Sequence, residues 1–243
     1  MIELVREGGV ARIFLNRPQK VNALDSTLLD ALAISLSALG GDDSLRVVVL
    51  AGRGKAFCGG ADVNELAALD PRTAREFIGR IHRACDAIRR LPVPVVAQLH
   101  GAVIGGGLEL AASCDLRIAA DGTRFAMPEV RLGIPSVVEA ALLPRLIGSG
   151  RAAWLVLTGE AIDAQRAYDW GLVETLCPAA ALDQTVAGTV QLLLAGEREA
   201  LRVQKELLQM WQEQPLSQSV ATSIERFAAT YATEIPNRLM RKQ

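Results

Sequence analysis

The chain has 243 residues, with 26 Lys+Arg against 27 Asp+Glu and a formal net charge of −1. Half of its residues are hydrophobic but only 4% are aromatic, so its apolar content is aliphatic and large enough for a substantial core. The balanced charge excludes the electrostatic footprint of a nucleic-acid binder, and the scarcity of aromatics excludes a base-stacking platform. No stretch approaches about 18 uncharged apolar residues, so no membrane span is expected. The opening MIELVREGGVARIFLNRP lacks a signal-peptide pattern, and the expected setting is the cytoplasm. Cys58, Cys85, Cys114 and Cys177 lack CxxC spacing and read as reduced core thiols, while two histidines, His82 and His100, cannot build a multi-histidine metal site. No metal is expected.

In chain order, residues 2–5 and 10–15 flank Gly8-Gly9 as a β-hairpin. Residues 26–39 repeat leucines at helical spacing behind an Asp/Ser start, and residues 45–51 (LRVVVLA) form a buried strand closed by Gly52. Residues 72–90 are helical, stopped by Pro92 and Pro94, and residues 95–99 are the next strand. Residues 107–113 are again helical, 116–119 a strand, and 125–126 a short extended piece. This alternation predicts an α/β core. From residue 182 the strand signals vanish, and residues 197–232 read as long amphipathic helices. The expected division is a core over 1–181 and a helical segment over 182–243.

Three segments carry chemistry. Lys55–Asp62 (KAFCGGAD) follows a strand with small residues that allow close backbone approach and leave amide N–H groups unshielded. Gly101–Leu110 (GAVIGGGLEL) leads glycines into a helix, so free N–H groups and the positive helix end point the same way. It lacks the last glycine of a dinucleotide fingerprint and the Gly-Lys-Ser/Thr of a P-loop. Glu109 stands in the first turn of this helix, either as a solvent-facing complement to the dipole or as a site carboxylate. Phe125–Glu129 (FAMPE) places Glu129 after a proline in apolar surroundings, which disfavour a carboxylate's charge and raise its pKa. The bland alternative pairs Glu129 with Arg131 or Arg124. His100 reads as a satisfied structural histidine, and His82 and Lys205 as solvated. The Leu/Met/Trp stripe over 201–211 reads as a subunit or core face.

FCGGAD, then GGGLE, then PE resembles the crotonase (enoyl-CoA hydratase/isomerase) superfamily. The opening IFLNRPQKVNAL, the later LTGEAIDAQRA and Gly171-Leu172-Val173 are similar to it in the same order, over roughly residues 2–180. The resemblance implies a ββα spiral core followed by a C-terminal helical trimerisation segment. It implies an acyl-CoA thioester as ligand, with coenzyme A part of the substrate and no separate cofactor, and a homotrimer or a hexamer of paired trimers. Its oxyanion-hole amides fall on Gly59 and Gly106, and its two catalytic carboxylates on Glu109 and Glu129. Glu129 would serve the α-carbon and Glu109 the water. Lys20, Ala23, Gly60, Ala61 and Asp62 would lie along the CoA moiety.

Two departures stand out. Where relatives often read LG-x-x-PG-x-GG, this chain reads Leu132-Gly133-Ile134-Pro135-Ser136-Val137-Val138-Glu139, one residue shorter before the proline and without the later glycines. Glu139 is then a packed or surface residue, or a third carboxylate in the pocket. The C-terminus FAATYATEIPNRLMRKQ lacks the acidic-glycine and EKR pattern of relatives. The retained glutamate pair favours hydration of a trans-2-enoyl-CoA, with Δ3,Δ2-enoyl-CoA isomerisation or another acyl-CoA lyase reaction as the alternative. A non-catalytic scaffold of the same fold is the alternative from a different class.

Overall fold

A computed structural model describes residues 1–241. Strands β1 (Ile2–Glu7) and β2 (Val10–Leu15) form an antiparallel hairpin, with Gly8 at φ +50° making the turn. Helix α1 (Ser26–Gly40) begins where the Asp25 carboxylate accepts the Leu28 N–H at 2.8 Å. Strand β3 (Val47–Gly52) leads to the short α2 (Val63–Ala67), then α3 (Pro71–Arg90). Asp70 and Thr73 close a capping box at the start of α3, with Pro71 in its first turn. Strands β4 (Val95–Leu99) and β5 (Ala102–Ile104) precede α4 (Gly106–Ser113), followed by β6 (Leu116–Ala120) and β7 (Arg124–Ala126). Two 3-10 turns, Glu129–Leu132 and Val138–Leu142, come next. They lead to α5 (Leu143–Ile147), α6 (Ser149–Thr158), β8 (Ile162–Asp163), α7 (Ala164–Asp169), β9 (Thr175–Cys177) and α8 (Leu182–Ala195).

One sheet has six strands in the order β1-β2-β3-β4-β6-β9, parallel apart from the opening hairpin. A second sheet orders β5-β7-β8. Strands β3 and β4, in register through Val48 opposite Val95 and Leu50 opposite Ala97, are buried along their whole length. That is why they read as continuous apolar runs rather than alternating ones. On α1, Leu28, Leu32 and Leu36 recur at helical spacing and are fully buried where α1 packs on α3, with Phe77, Ile81 and Ile88 in the same core. Each such side chain contributes roughly 1.5–3 kcal/mol by leaving water. The predicted hairpin and the longer helices stand where the sequence places them. The short β5, β8 and β9 carry too few residues to show a period.

The chain divides into two compact units, Met1–Leu193 and the segment from Leu194 onward. Most of α8, with Leu182, Val186 and Val190 buried, falls in the first unit, so this division lies near the end of that helix, beside the 181/182 expected from the loss of strand signals. The second unit holds α9 (Arg198–Glu213), α10 (Leu216–Thr230) and α11 (Ile235–Met240). There Trp211, Val220, Ile224 and Phe227 line an apolar groove and remain exposed. Lys205, expected in solvent, is buried instead. A buried ammonium has to be paired, and Lys205 is not without a partner.

Candidate active site

After β3 the chain runs beside the strand that leads into α4. Phe57 N–H donates to the His100 carbonyl at 2.8 Å, Cys58 N–H to Ala102 at 2.9 Å, and Ile104 N–H back to Cys58 at 3.0 Å. On the other edge Leu24 bridges Ala61: Leu24 N–H donates to Gly60 and Asp62 N–H to Leu24, both at 2.8 Å. A residue centred in such a bridge turns its own N–H away from the partner strand. The Ala61 N–H therefore points outward and has no acceptor among the described residues. The Gly59 N–H, expected in the oxyanion hole, is instead held by the Val21 carbonyl at 2.8 Å. The oxyanion position therefore shifts from Gly59 to Ala61, whose amide is turned outward. The Asp62 amide, bonded to Leu24, is likewise unavailable to a ligand.

Gly105 caps α4 at φ +51°, and Leu108 and Glu109 N–H close the first turn on its carbonyl. The N–H groups of Gly106 and Gly107 precede that turn and are left without intrahelical acceptors. Gly107 has no room for a side chain: a Cβ there would stand 2.6 Å from Cys58 Cβ and 2.9 Å from the Cys58 carbonyl oxygen. This contact fixes the start of α4 against residues 58–61. Cys58 is no nucleophile, since burial pushes its thiol up to about 12 while its Sγ–H donates to the Asn22 carbonyl.

Both glutamates arrive here with one oxygen tethered. Ala140 N–H donates to Glu109 Oε1 at 3.0 Å, and Ser136 Oγ–H donates to Glu129 Oε2 at 2.8 Å. The other oxygens converge: Glu129 Oε1 lies where a Gly105 Cβ would project, and Glu109 Oε2 lies 3.8 Å from a Cβ placed on Gly106. They thus flank the Gly105–Gly106 peptide, beside the unpaired Gly106 N–H. Glu109 does not face solvent; it is 5% exposed, and all of α4 is buried. Burial, reinforced by the charges of Glu129 and Glu139 and opposed by the Ala140 hydrogen bond, raises its pKa to about 8. Glu129 is only half-buried, so the heavier desolvation falls on the other carboxylate of the expected pair. Arg131 pairs with Glu160 rather than with Glu129.

A cavity of about 710 Å³ opens between α2, α3 and the segment after Glu129, lined by Leu66, Leu69, Phe77, Ile78, Ile134 and Val137 among others. It is large and apolar enough for an acyl group. On the other side Arg17 ties the expected CoA-facing residues together. Its guanidinium donates to Asp62 Oδ2 at 2.6 Å and to the Ala23 carbonyl at 3.1 Å, and this hydrogen bond holds the Asp62 carboxyl below its usual range. Asp62 also accepts the Asn64 N–H, capping α2. Its side chain is a structural anchor, while Lys20 stands exposed on a 3-10 turn.

Asn22 is a residue the sequence reading missed. It is fully buried at φ +54°, donates from Nδ2 to the carbonyls of Arg53, Ala56 and Phe57, and accepts the Arg17 N–H. An asparagine in a turn is usually read as tolerating a positive φ, and that reading hides this knot. Asn22→Ala strands these buried groups and is expected to destabilise the fold by about 3 kcal/mol, measured by urea denaturation; a loss below roughly 1 kcal/mol would contradict the knot. His82 is exposed on α3, as expected. Its Nδ1 lies 2.8 Å from Glu139 Oε1, because Glu139 turns inward and is buried rather than lying on the surface. His100 meets the Gly54 carbonyl at 3.0 Å.

The geometry has counterparts among known proteins. The family model described as enoyl-CoA hydratase/isomerase matches residues 5–238. A short-chain-enoyl-CoA hydratase of Clostridium acetobutylicum is 32% identical over 95% of this chain and 89% of its own. An enoyl-CoA isomerase/hydratase of Mycosarcoma maydis is 34% identical over 83% of this chain and 77% of its own. The crystal structure of an enoyl-CoA hydratase from Mycobacterium smegmatis superposes with a TM-score of 0.94 at 32% identity, over 99% of this chain and 96% of that one. The spiral α/β core, its helical C-terminal segment and the ordered glycine and glutamate motifs thus have one origin: the chain belongs to the enoyl-CoA hydratase/isomerase family.

Proposed function

We propose that the protein is a hydratase that adds water across the double bond of a trans-2-enoyl-CoA thioester. The observation that carries this reading is the convergence of two carboxyl groups, each with one oxygen tethered, on the Gly105–Gly106 peptide. The Ala61 and Gly106 N–H groups, both without acceptors among the described residues, receive the thioester oxygen. Negative charge develops on that oxygen as water attacks the β-carbon, and each aimed donor is worth about 2.7–4 kcal/mol in the acyl-transfer analogue.

The bonds balance without a further reactant. The water oxygen joins Cβ, the C=C pair moves onto the thioester as an enolate, and collapse of the enolate takes a proton at Cα. Ionised Glu109 holds the water and takes one of its protons, protonated Glu129 delivers one to Cα, and exchange through solvent then returns the proton from Glu109 to Glu129, so the cycle closes. Glu129 suits that side because its own segment continues into the acyl cavity through Ile134 and Val137. The apolar groove of the second unit fits a face covered by sister subunits in a homotrimer or hexamer, read by light scattering.

The test is the loss of enoyl absorbance when crotonyl-CoA is added. Hydration by the wild type, with the activity rising toward pH 8 as Glu109 ionises, is the expected result. A protein that leaves crotonyl-CoA unchanged but converts 3-enoyl-CoA to the conjugated isomer is an isomerase instead.

A further inference from the structure

A third carboxylate lies beside the pair. Glu139 is 5% exposed and occupies the 3-10 turn Val138–Leu142, so the peptide after it supplies the Ala140 N–H bonded to Glu109 Oε1. Its own Oε1 meets His82 Nδ1 at 2.8 Å, while its Oε2 is buried without a hydrogen-bond partner. The residue before it, Val138, is held at φ +41°, a conformation that strains a β-branched side chain. A buried carboxylate held by one exposed histidine, with an orphan second oxygen and reached through a strained backbone, is a poor source of stability. Such an arrangement persists where it serves the site.

We propose that Glu139, oriented by His82, is a positioning residue for Glu109: its turn sets the Ala140 N–H that holds Glu109 Oε1, and its buried carboxylate joins the same acidic cluster. This rests on the hydratase reading for its consequence in turnover, but not for its electrostatics. The groups facing Glu109 and Glu139 come from every neighbouring element. From α3 they are His82 and the buried Cys85, whose thiol is raised well above its ordinary value by burial and then by Glu139 and Glu109. From the turn after β7 it is Glu129, which also raises Glu109. Arg80 and Asp86 of α3 are engaged with Asp30 and Arg90, and Arg145 of α5 is exposed. Among these described groups only the half-exposed His82 can bring positive charge to the cluster, and it bonds to Glu139, not to Glu109.

Carboxyl 13C NMR of the whole chain, labelled at glutamate, reads the effect without substrate, with Glu109→Gln identifying the Glu109 signal. In Glu139→Gln and in Glu139→Ala the Glu109 midpoint is expected to fall measurably, because a like charge that disfavours its ionised form is removed. The rising limb of kcat against pH is expected to move down with it. A midpoint that stays in place in variants that melt as folded proteins overturns the proposal and leaves Glu139 a packing residue. A midpoint that falls while no enoyl-CoA is hydrated supports the role of Glu139 and refutes the hydratase reading alone.

Discussion

Glu109→Gln is expected to melt several degrees above the wild type at pH 8 while losing hydration by about 10²–10⁴ in kcat. The stability gain follows from linkage. Glu109 titrates at 4.5 in a solvated chain and at about 8 in the fold, chiefly because burial penalises its charge. Below pH 4.5 both states hold the proton, and the fold loses nothing. Between pH 4.5 and 8 the unfolded chain releases the proton and the native protein keeps it, so native stability falls as pH rises through that window. The loss reaches on the order of 4 kcal/mol near pH 8. Glutamine carries no titrating proton and keeps an oxygen for the Ala140 N–H, so the variant escapes the loss. Melting curves of both proteins between pH 4.5 and 8 check this. Their difference is expected to be within about a degree at the acid end and to widen steadily with pH. A constant difference would show that Glu109 is not held protonated in the fold.

The sequence is a good guide where a side chain's identity and its spacing carry the information. Leu28, Leu32 and Leu36 announce a helix face, and the uninterrupted VVVLAG and VVAQL announce strands buried on both sides. The glycines before Glu109 announce a helix start with bare amides. What it leaves hidden depends on where backbone groups point. Gly59 and Ala61 differ by two positions in one small-residue run, and only the Leu24 bridge shows which amide is turned outward. The inward turn of Glu139 depends on a positive φ at Val138, a conformation no residue preference would assign to valine. Asn22 joins groups more than 30 positions away. Such links are tertiary and leave no local period.

Glu129→Gln separates the two carboxyl groups chemically. Glu129 approaches the ligand from the segment that lines the acyl cavity, and its Oε1 is the oxygen left free beside Gly105. If it moves the proton at Cα, its loss stops every reaction that passes through the enolate, whether water takes part or not. Hydration is then expected to fall by about 10²–10⁴ in kcat. Exchange of the α-hydrogen of a saturated acyl-CoA with deuterated water is expected to disappear with it. Glu109→Gln, by contrast, is expected to retain that exchange, since no water is added in it and the oxyanion amides remain in place. The glutamine at position 129 can still accept the Ser136 hydroxyl, and the residue is half-buried, so its melting temperature should stay within a few degrees of wild type. KM should change little, because the apolar lining carries the acyl group. Mass spectrometry of recovered acyl-CoA reads the exchange directly. Retained exchange in Glu129→Gln together with its loss in Glu109→Gln would reverse the two roles, and loss in both would mean that neither acts on Cα alone.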